Sequence, residues 1–200
     1  MKQLFFLTVV LLCSTTLPGQ SIYENKQFGL RFQEPAKWFT AKSEELNKSL
    51  NKLNLSEADS AKIVADRKGA LALCTYYKYD VNKAAGLIPT IKVTVRNNPA
   101  SSYDEFKKLM ISSTDNVKNF VEDFKFIDNF SEINISGIKA LYYSCSYTLK
   151  TKQPGKVNVR NKYYMIPKGK YFISLSLMDG TSDDCSVLFR SLIASLQLDK

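Results

Sequence analysis

From about residue 124 to residue 178 the sequence keeps returning to a period of two. Runs at 124–135, 139–149, 156–166 and 170–178 are rich in aromatic and β-branched residues. Gly137, Pro154-Gly155 and the segment from Pro167 to Gly169 separate them. Successive side chains point to opposite faces of a strand, so such runs bounded by turn residues predict four strands. Connections this short join antiparallel neighbours, because a parallel crossover needs a dozen residues or more. A chain built this way has an antiparallel sheet at its centre, and the rest must pack around it.

The remaining segments supply more strands and several helices. The stretch 88–97 sets Ile91, Val93 and Val95 on one side and Thr90, Lys92, Thr94 and Arg96 on the other. Leu71, Leu73, Thr75 and Tyr77 alternate with Ala72, Cys74 and Tyr76 in a further strand. A short strand with a turn at Gly29 is expected over 21–30, continuing through Phe32 to a stop at Pro35. Ser43 with Leu46, Leu50 and Leu53 predicts one helix, and Ser56 with Asp59 opens another that ends near Gly69. Ser102 and Glu105 form a capping box ahead of Phe106, Leu109 and Met110. A last helix begins near Ser182 and carries Cys185, Phe189, Leu192 and Leu196 on one face. The fold class is α+β, with a mainly antiparallel central sheet flanked by helices. Residues 21–200 show no repeat or linker and read as a single domain.

Residues 1–20 are of a different kind. Lys2 precedes an apolar run from Leu4 to Leu12, and Thr15 to Gln20 are small, polar or turn-forming. This is the layout of a secretory signal peptide, cleaved after Gly19 or Gln20. The run is shorter than the ~20 apolar residues a bilayer span needs, and no later run could anchor the mature chain. The expected location is therefore periplasmic or extracellular. A lipoprotein anchored at Cys13 is an alternative, although Leu12 is a large residue to precede an acylated cysteine.

Composition removes much chemistry. The 200 residues include no histidine, which excludes Ser-His-Asp and Cys-His nucleophile systems and every His-ligated metal. There is no glycine-rich phosphate loop, nucleophile elbow or calcium loop, so no metal or cofactor is expected. Glu44-Glu45, Asp104-Glu105 and Asp183-Asp184 stand at helix starts, where they complement the helix dipole. Cys74, Cys145 and Cys185 read as buried small hydrophobes; three pairings are open to them, and none has CxxC spacing.

Charge is the remaining clue. The chain has 28 basic and 19 acidic residues, a net charge of +9. Between Glu132 and Asp179 there is no acidic residue, while eight lysines and arginines occur. Lys156, Asn158, Arg160 and Lys162 share one face of their strand, as do Ser174 and Ser176 of theirs. If these faces coincide with that of Lys92 and Arg96, one side of the sheet is polar and positive. Lys92, Arg96, Lys156, Arg160 and Lys162 are then the candidate residues for binding an anionic or protein partner. A solvated sheet face with protective lysines is the competing reading. Nucleic acid is not expected, because the aromatics match no nucleic-acid-binding pattern and export removes such partners.

The segment YENKQFGLRFQEPAKW from Tyr23 to Trp38 resembles the opening of PsbP-like domains, with Phe28-Gly29, Phe32, Pro35 and Trp38 in the matching places. Gly137 to Ala140, Gly169-Lys170-Tyr171, Phe189 and Ser195-Leu196 are similar to the family's later elements. The resemblance implies an α/β/α sandwich and a non-enzymatic binding or assembly module. The family includes photosystem II extrinsic subunits, the Ran-binding Mog protein and small exported bacterial proteins. Histidines that could hold metal in photosystem members have no counterpart here. The expected function is an exported, non-catalytic binding or assembly protein of the bacterial envelope, with an anionic or protein partner on the basic sheet face. A hydrolase working through carboxylates or a Ser-Lys pair is the competing class.

Overall fold

Turn chemistry and β-branched runs set the strand boundaries. The computed structural model describes residues 21–41, 70–118, 121–150 and 156–199. Their elements follow the order β1 (Ile22–Asn25), β2 (Leu30–Gln33), β3 (Phe39–Thr40), β4 (Ala70–Tyr77), β5 (Thr90–Asn97), α1 (Tyr103–Val117), β6 (Glu122–Ile135), β7 (Ile138–Lys150), β8 (Lys156–Lys168), β9 (Tyr171–Gly180), α2 (Ser186–Ser195) and β10 (Gln197–Leu198). The expected leader 1–20 with Cys13, the helices expected at 43–53 and 56–69, and the Pro154-Gly155 turn lie outside the described residues.

The four late strands form as the alternation requires. The β6–β7 loop is Ser136-Gly137, with φ of 52° and 81°. Positive φ at both loop residues suits a two-residue hairpin whose twist matches its strands. The Gly137 N–H donates to Asn134 Oδ1 at 2.8 Å. β8 and β9 meet across Gly169-Lys170, with Lys168 opposite Tyr171.

Seven strands join in the order β3-β4-β5-β9-β8-β7-β6, and β1-β2-β10 make a smaller sheet. Every pair in both sheets is antiparallel. The small sheet and α2 cover one face of the large sheet. There Phe28, Leu30, Phe32, Phe189 and Leu192 pack with Val93, Leu175 and Leu177. On the other face α1 seats Phe106 among Leu141, Tyr143, Met165 and Phe172. Helices on both sides of an antiparallel sheet make the α/β/α sandwich that was expected.

The two covers are offset. α2 and the small sheet lie over β4, β5 and β9, and reach the β6–β7 end only through residues such as Ile135 and Ala140. α1 lies over β7, β8 and the start of β9, where Phe106 meets Phe172, and borders the aromatics of β6. Each face is therefore apolar where its cover sits and polar beside it.

β4 departs from simple alternation. A bulge between Ala72 and Cys74 makes Leu73 an extra residue. Leu71 faces the α2 core before it, and Cys74 and Tyr76 face that core after it. A one-residue slip exchanges the faces of everything downstream. The Tyr23 hydroxyl donates to the Leu73 carbonyl at the bulge, 3.3 Å away.

The helix starts are capped as their sequences suggest, with shifts of detail. Ser102 Oγ accepts the Glu105 N–H at 3.2 Å, while the Glu105 carboxylate reaches Ser101 rather than Ser102. α2 begins at Ser186, later than expected, because Gly180 bridges to Asp183 and holds 181–184 in a turn.

Candidate functional site

Strand register decides where the five candidate cations go. Lys92 pairs with Ser176, Ser176 with Tyr163, and Tyr163 with Tyr143. This row lies on the α1 face, as does Arg96 opposite Phe172. Lys162 pairs with Leu177, and Leu177 with Ile91, a row on the α2 face. Arg160 and Lys156 share the parity of Lys162 and lie on that face too. The expected single basic face is thus divided: Lys92 and Arg96 on one side, Lys156, Arg160 and Lys162 on the other.

The three on the α2 face stand among carboxylates. Arg160 forms a two-pronged pair with Asp179, Nε to Oδ1 at 2.9 Å and Nη2 to Oδ2 at 3.0 Å. It also lies 3.1 Å from Asp184. Asp179 is 3% exposed, and its Oδ2 accepts the Cys185 N–H at 2.8 Å. Asp184 accepts the Ser186 N–H at 2.7 Å. Two aspartates thus satisfy backbone donors at the start of α2, and Arg160 pairs with both. Lys156 pairs with Glu122 at 3.1 Å. Lys162 faces Asp128, whose carboxyl is held below the usual range by hydrogen bonds from Ser144 and Tyr142, with Lys162 adding to the effect. Lys78 pairs with Asp183, to which the Tyr79 hydroxyl also donates at 2.8 Å.

Lys92 and Arg96 differ. Both are exposed, and neither makes an ion pair among the described residues. Beside Arg96 a groove of 390 Å³ opens between α1 and the sheet. Met110, Ser113 and Thr114, one helix face at i, i+3 and i+4, form its wall. Tyr143, Tyr163, Met165, Phe172 and Ser174 form its floor, with Arg96 and Asn97 at the rim. Tyr143 and Tyr163 stack with ring centroids 4.8 Å apart. Burial raises the Tyr143 phenol to about 12 and that of Tyr163 further still, so both hydroxyls stay neutral.

Asn161 fixes the floor beyond the groove. It is buried, donates to the Tyr163 hydroxyl at 2.8 Å and accepts from Ser176 Oγ at 3.1 Å. This locks Tyr163 beside Ser176, next to Lys92. The offset covers explain the opening: α1 reaches Phe172 at the start of β9 and leaves Ser174, Ser176 and the polar residues of β5 beside it.

The groove offers hydroxyls and aromatic rings, with one cation at its rim. Among the groove's lining residues there is no carboxylate and no thiol. Ser176, the neighbour of Lys92, gives its hydroxyl proton to Asn161. Cys74, Cys145 and Cys185 are buried and unpaired. Burial pushes the Cys145 thiol up to about 11 and raises those of Cys74 and Cys185 as well. For Cys185, burial and three aspartates outweigh Lys78. Cys145 sits in the α1-side core and the other two in the α2-side core, so the sheet separates it from both. No group of three or more potential ligands among the described residues could hold a metal ion.

Reading the sequence strand by strand misses Tyr143, Tyr163, Ser113 and Thr114 as groove residues. Their apolar or helical spacing marks only a core; what makes them a site is the gap beside α1.

No family model and no curated protein matches the sequence. Solved structures do match. Cyanobacterial PsbP (CyanoP) from Synechocystis superposes with a TM-score of 0.50 at 11% identity, over 90% of this chain and 92% of that one. LpqN of Mycobacterium tuberculosis, involved in cell envelope biogenesis, gives 0.49 at 13% identity over 92% and 88%. The Ran-binding protein Mog1p of Saccharomyces cerevisiae gives 0.46 at 8% identity over 89% and 94%. The chain spans about half, 46%, of a Bacteroides thetaiotaomicron protein that it also matches, at a TM-score of 0.45. At these identities the likeness concerns the fold, which is PsbP-like as the Tyr23–Trp38 segment implied.

Proposed function

We propose that this PsbP-like chain is an exported, non-catalytic binding protein of the bacterial envelope that takes an anionic partner in the groove beside α1. The observation that carries the reading is exposed Arg96 at the rim of a hydroxyl- and aromatic-lined groove free of carboxylates, with a second exposed cation, Lys92, on the same face of β5 just beyond its lining. Lys156 and Arg160 act differently: they hold the start of β8 and of α2 in place. Export is supported by the leader pattern of residues 1–20.

Two measurements test the proposal. Mass spectrometry of protein recovered from the periplasm or medium reads its first residue. Gln20 or Ser21 supports export, a lipid-modified Cys13 selects the anchored form, and an intact Met1 counts against both. Capture of envelope components by wild type is then compared with Lys92→Glu and Arg96→Glu at low and high salt. Salt-sensitive capture lost in both variants supports the groove. Capture unchanged in both refutes it.

A further inference from the structure

Resting on the groove reading, the spacing of its two cations points to the shape of the partner. Lys92 and Arg96 are four residues apart on one face of β5. At the rise of a strand this places them about 13 Å apart along β5, Arg96 at the groove's rim and Lys92 beyond its lining. Thr94 stands between them, with Ser174 and Ser176 directly opposite on β9. All of these short side chains lie on the side facing α1. Beside them are Tyr163, whose hydroxyl is held by Asn161, and the α1 wall of Ser113 and Thr114.

We infer that the occupant is an extended acidic segment of a partner protein, with two carboxylates four residues apart. An extended chain separates such side chains by about 13 Å on one face, matching Lys92 to Arg96. A helix brings residues four apart to about 6 Å, and an extended pair two apart spans about 7 Å, so neither reaches both cations. Between its carboxylates the segment turns one residue toward Thr94 and the serines. Its remaining backbone groups meet the hydroxyls of Ser113 and Ser174, whereas those of Thr94, Thr114 and Ser176 already donate within the protein. The aromatic floor at Tyr143, Tyr163 and Phe172 accommodates a side chain on the α1 side. Ser113 and Ser174 supply hydrogen bonds without adding charge, so selectivity rests on the two cations.

The test uses three fluorescein-labelled peptides of about nine residues built on threonine and valine. One has aspartates at its third and seventh positions, one at its third and fifth, and one has none. Their affinities are read by fluorescence anisotropy against the full mature protein. The first peptide is expected to bind about tenfold more tightly than the second, the loss of one charge-assisted contact. Arg96→Gln and Lys92→Gln each remove that preference, while Lys156→Gln keeps it. Equal binding of the two acidic peptides, still weakened by Arg96→Gln, overturns the spacing inference and leaves the groove reading standing. Binding of any peptide that neither variant weakens, or no acidic binding at all, overturns both.

Discussion

The pair between Arg160 and Asp179 makes a quantitative claim about what a basic residue of the late strands is for. Asp179 is 3% exposed and holds three contacts: two guanidinium bonds at 2.9 and 3.0 Å, and the Cys185 N–H at 2.8 Å. Replacing it with alanine removes all three. It leaves the buried Cys185 N–H without that partner and a guanidinium that is about a quarter exposed, with Asp184 near it. Losing the partner of a fully buried charge costs about 3–5 kcal/mol, and a capping bond is worth about 1 kcal/mol. Because water and Asp184 still reach Arg160, the sum is discounted to about 3 kcal/mol. For a chain of this size that lowers the melting temperature by about 6–12 °C. Urea unfolding of wild type, Asp179→Ala, Arg160→Met and the double variant then gives the coupling energy. If the single losses are each about 2–3 kcal/mol and the double loss is little larger, the pair acts as a unit. Single losses below about 0.5 kcal/mol, or strict additivity, refute the argument. In the capture assay Arg160→Met leaves salt-dependent capture intact, whereas a role in binding would abolish it.

Other outcomes follow from the same geometry. Asp128, Asp183 and Asp184 are held below the ordinary carboxylate range by hydrogen-bond donors beside them, Asp184 at about 2. Their stabilisation is fully present above about pH 4 and is lost as pH falls toward 2. With no histidine in the chain, thermal stability is expected to be level from about pH 5 to 8, and Asp128→Asn reduces the acid-side loss. Raised thiol pKa values and burial keep Cys74, Cys145 and Cys185 unreactive toward a disulfide reagent in the native state, and all three react in denaturant. Ser102→Ala removes the cap of α1 and costs about 1 kcal/mol, measured by chemical unfolding. Gly29→Ala adds a Cβ only 2.7 Å from Asp199 Cβ at a φ of +57°, so it loosens the β1-β2-β10 sheet and costs about 2 kcal/mol.

Much of the architecture was legible because strand alternation and turn residues are local. The β6–β9 meander, the Ser102 cap of α1 and the face of α2 bearing Phe189 and Leu192 all depend on neighbours in sequence. The faces of Lys92 and Lys162 could not be compared that way. Each is on the polar side of its own strand, but which side of the sheet that is depends on β5 pairing with β9, which no turn dictates. The bulge at Leu73 is invisible for a similar reason, since an alternating run reads the same with or without a slip. β10 is two residues long and gains its meaning from Leu30, far away in the chain. The groove was hidden because it is a property of the offset between two covers, and no single segment encodes that offset.

The β5–β9 pairing has a temporal side. β6, β7 and β8 each meet the next strand along the chain, but Val95 of β5 meets Ile173 of β9 only across a loop of about 80 residues. Distant pairings of this sort are slow to form, because the loop must close before any contact repays it. Arg96 sits on one side of that seam, and Ser174 and Tyr163 on the other. The groove therefore does not exist in a chain that has built only its meander. The groove is thus acquired at the step that completes the sheet, so binding in it, as proposed above, would double as a report that folding has finished.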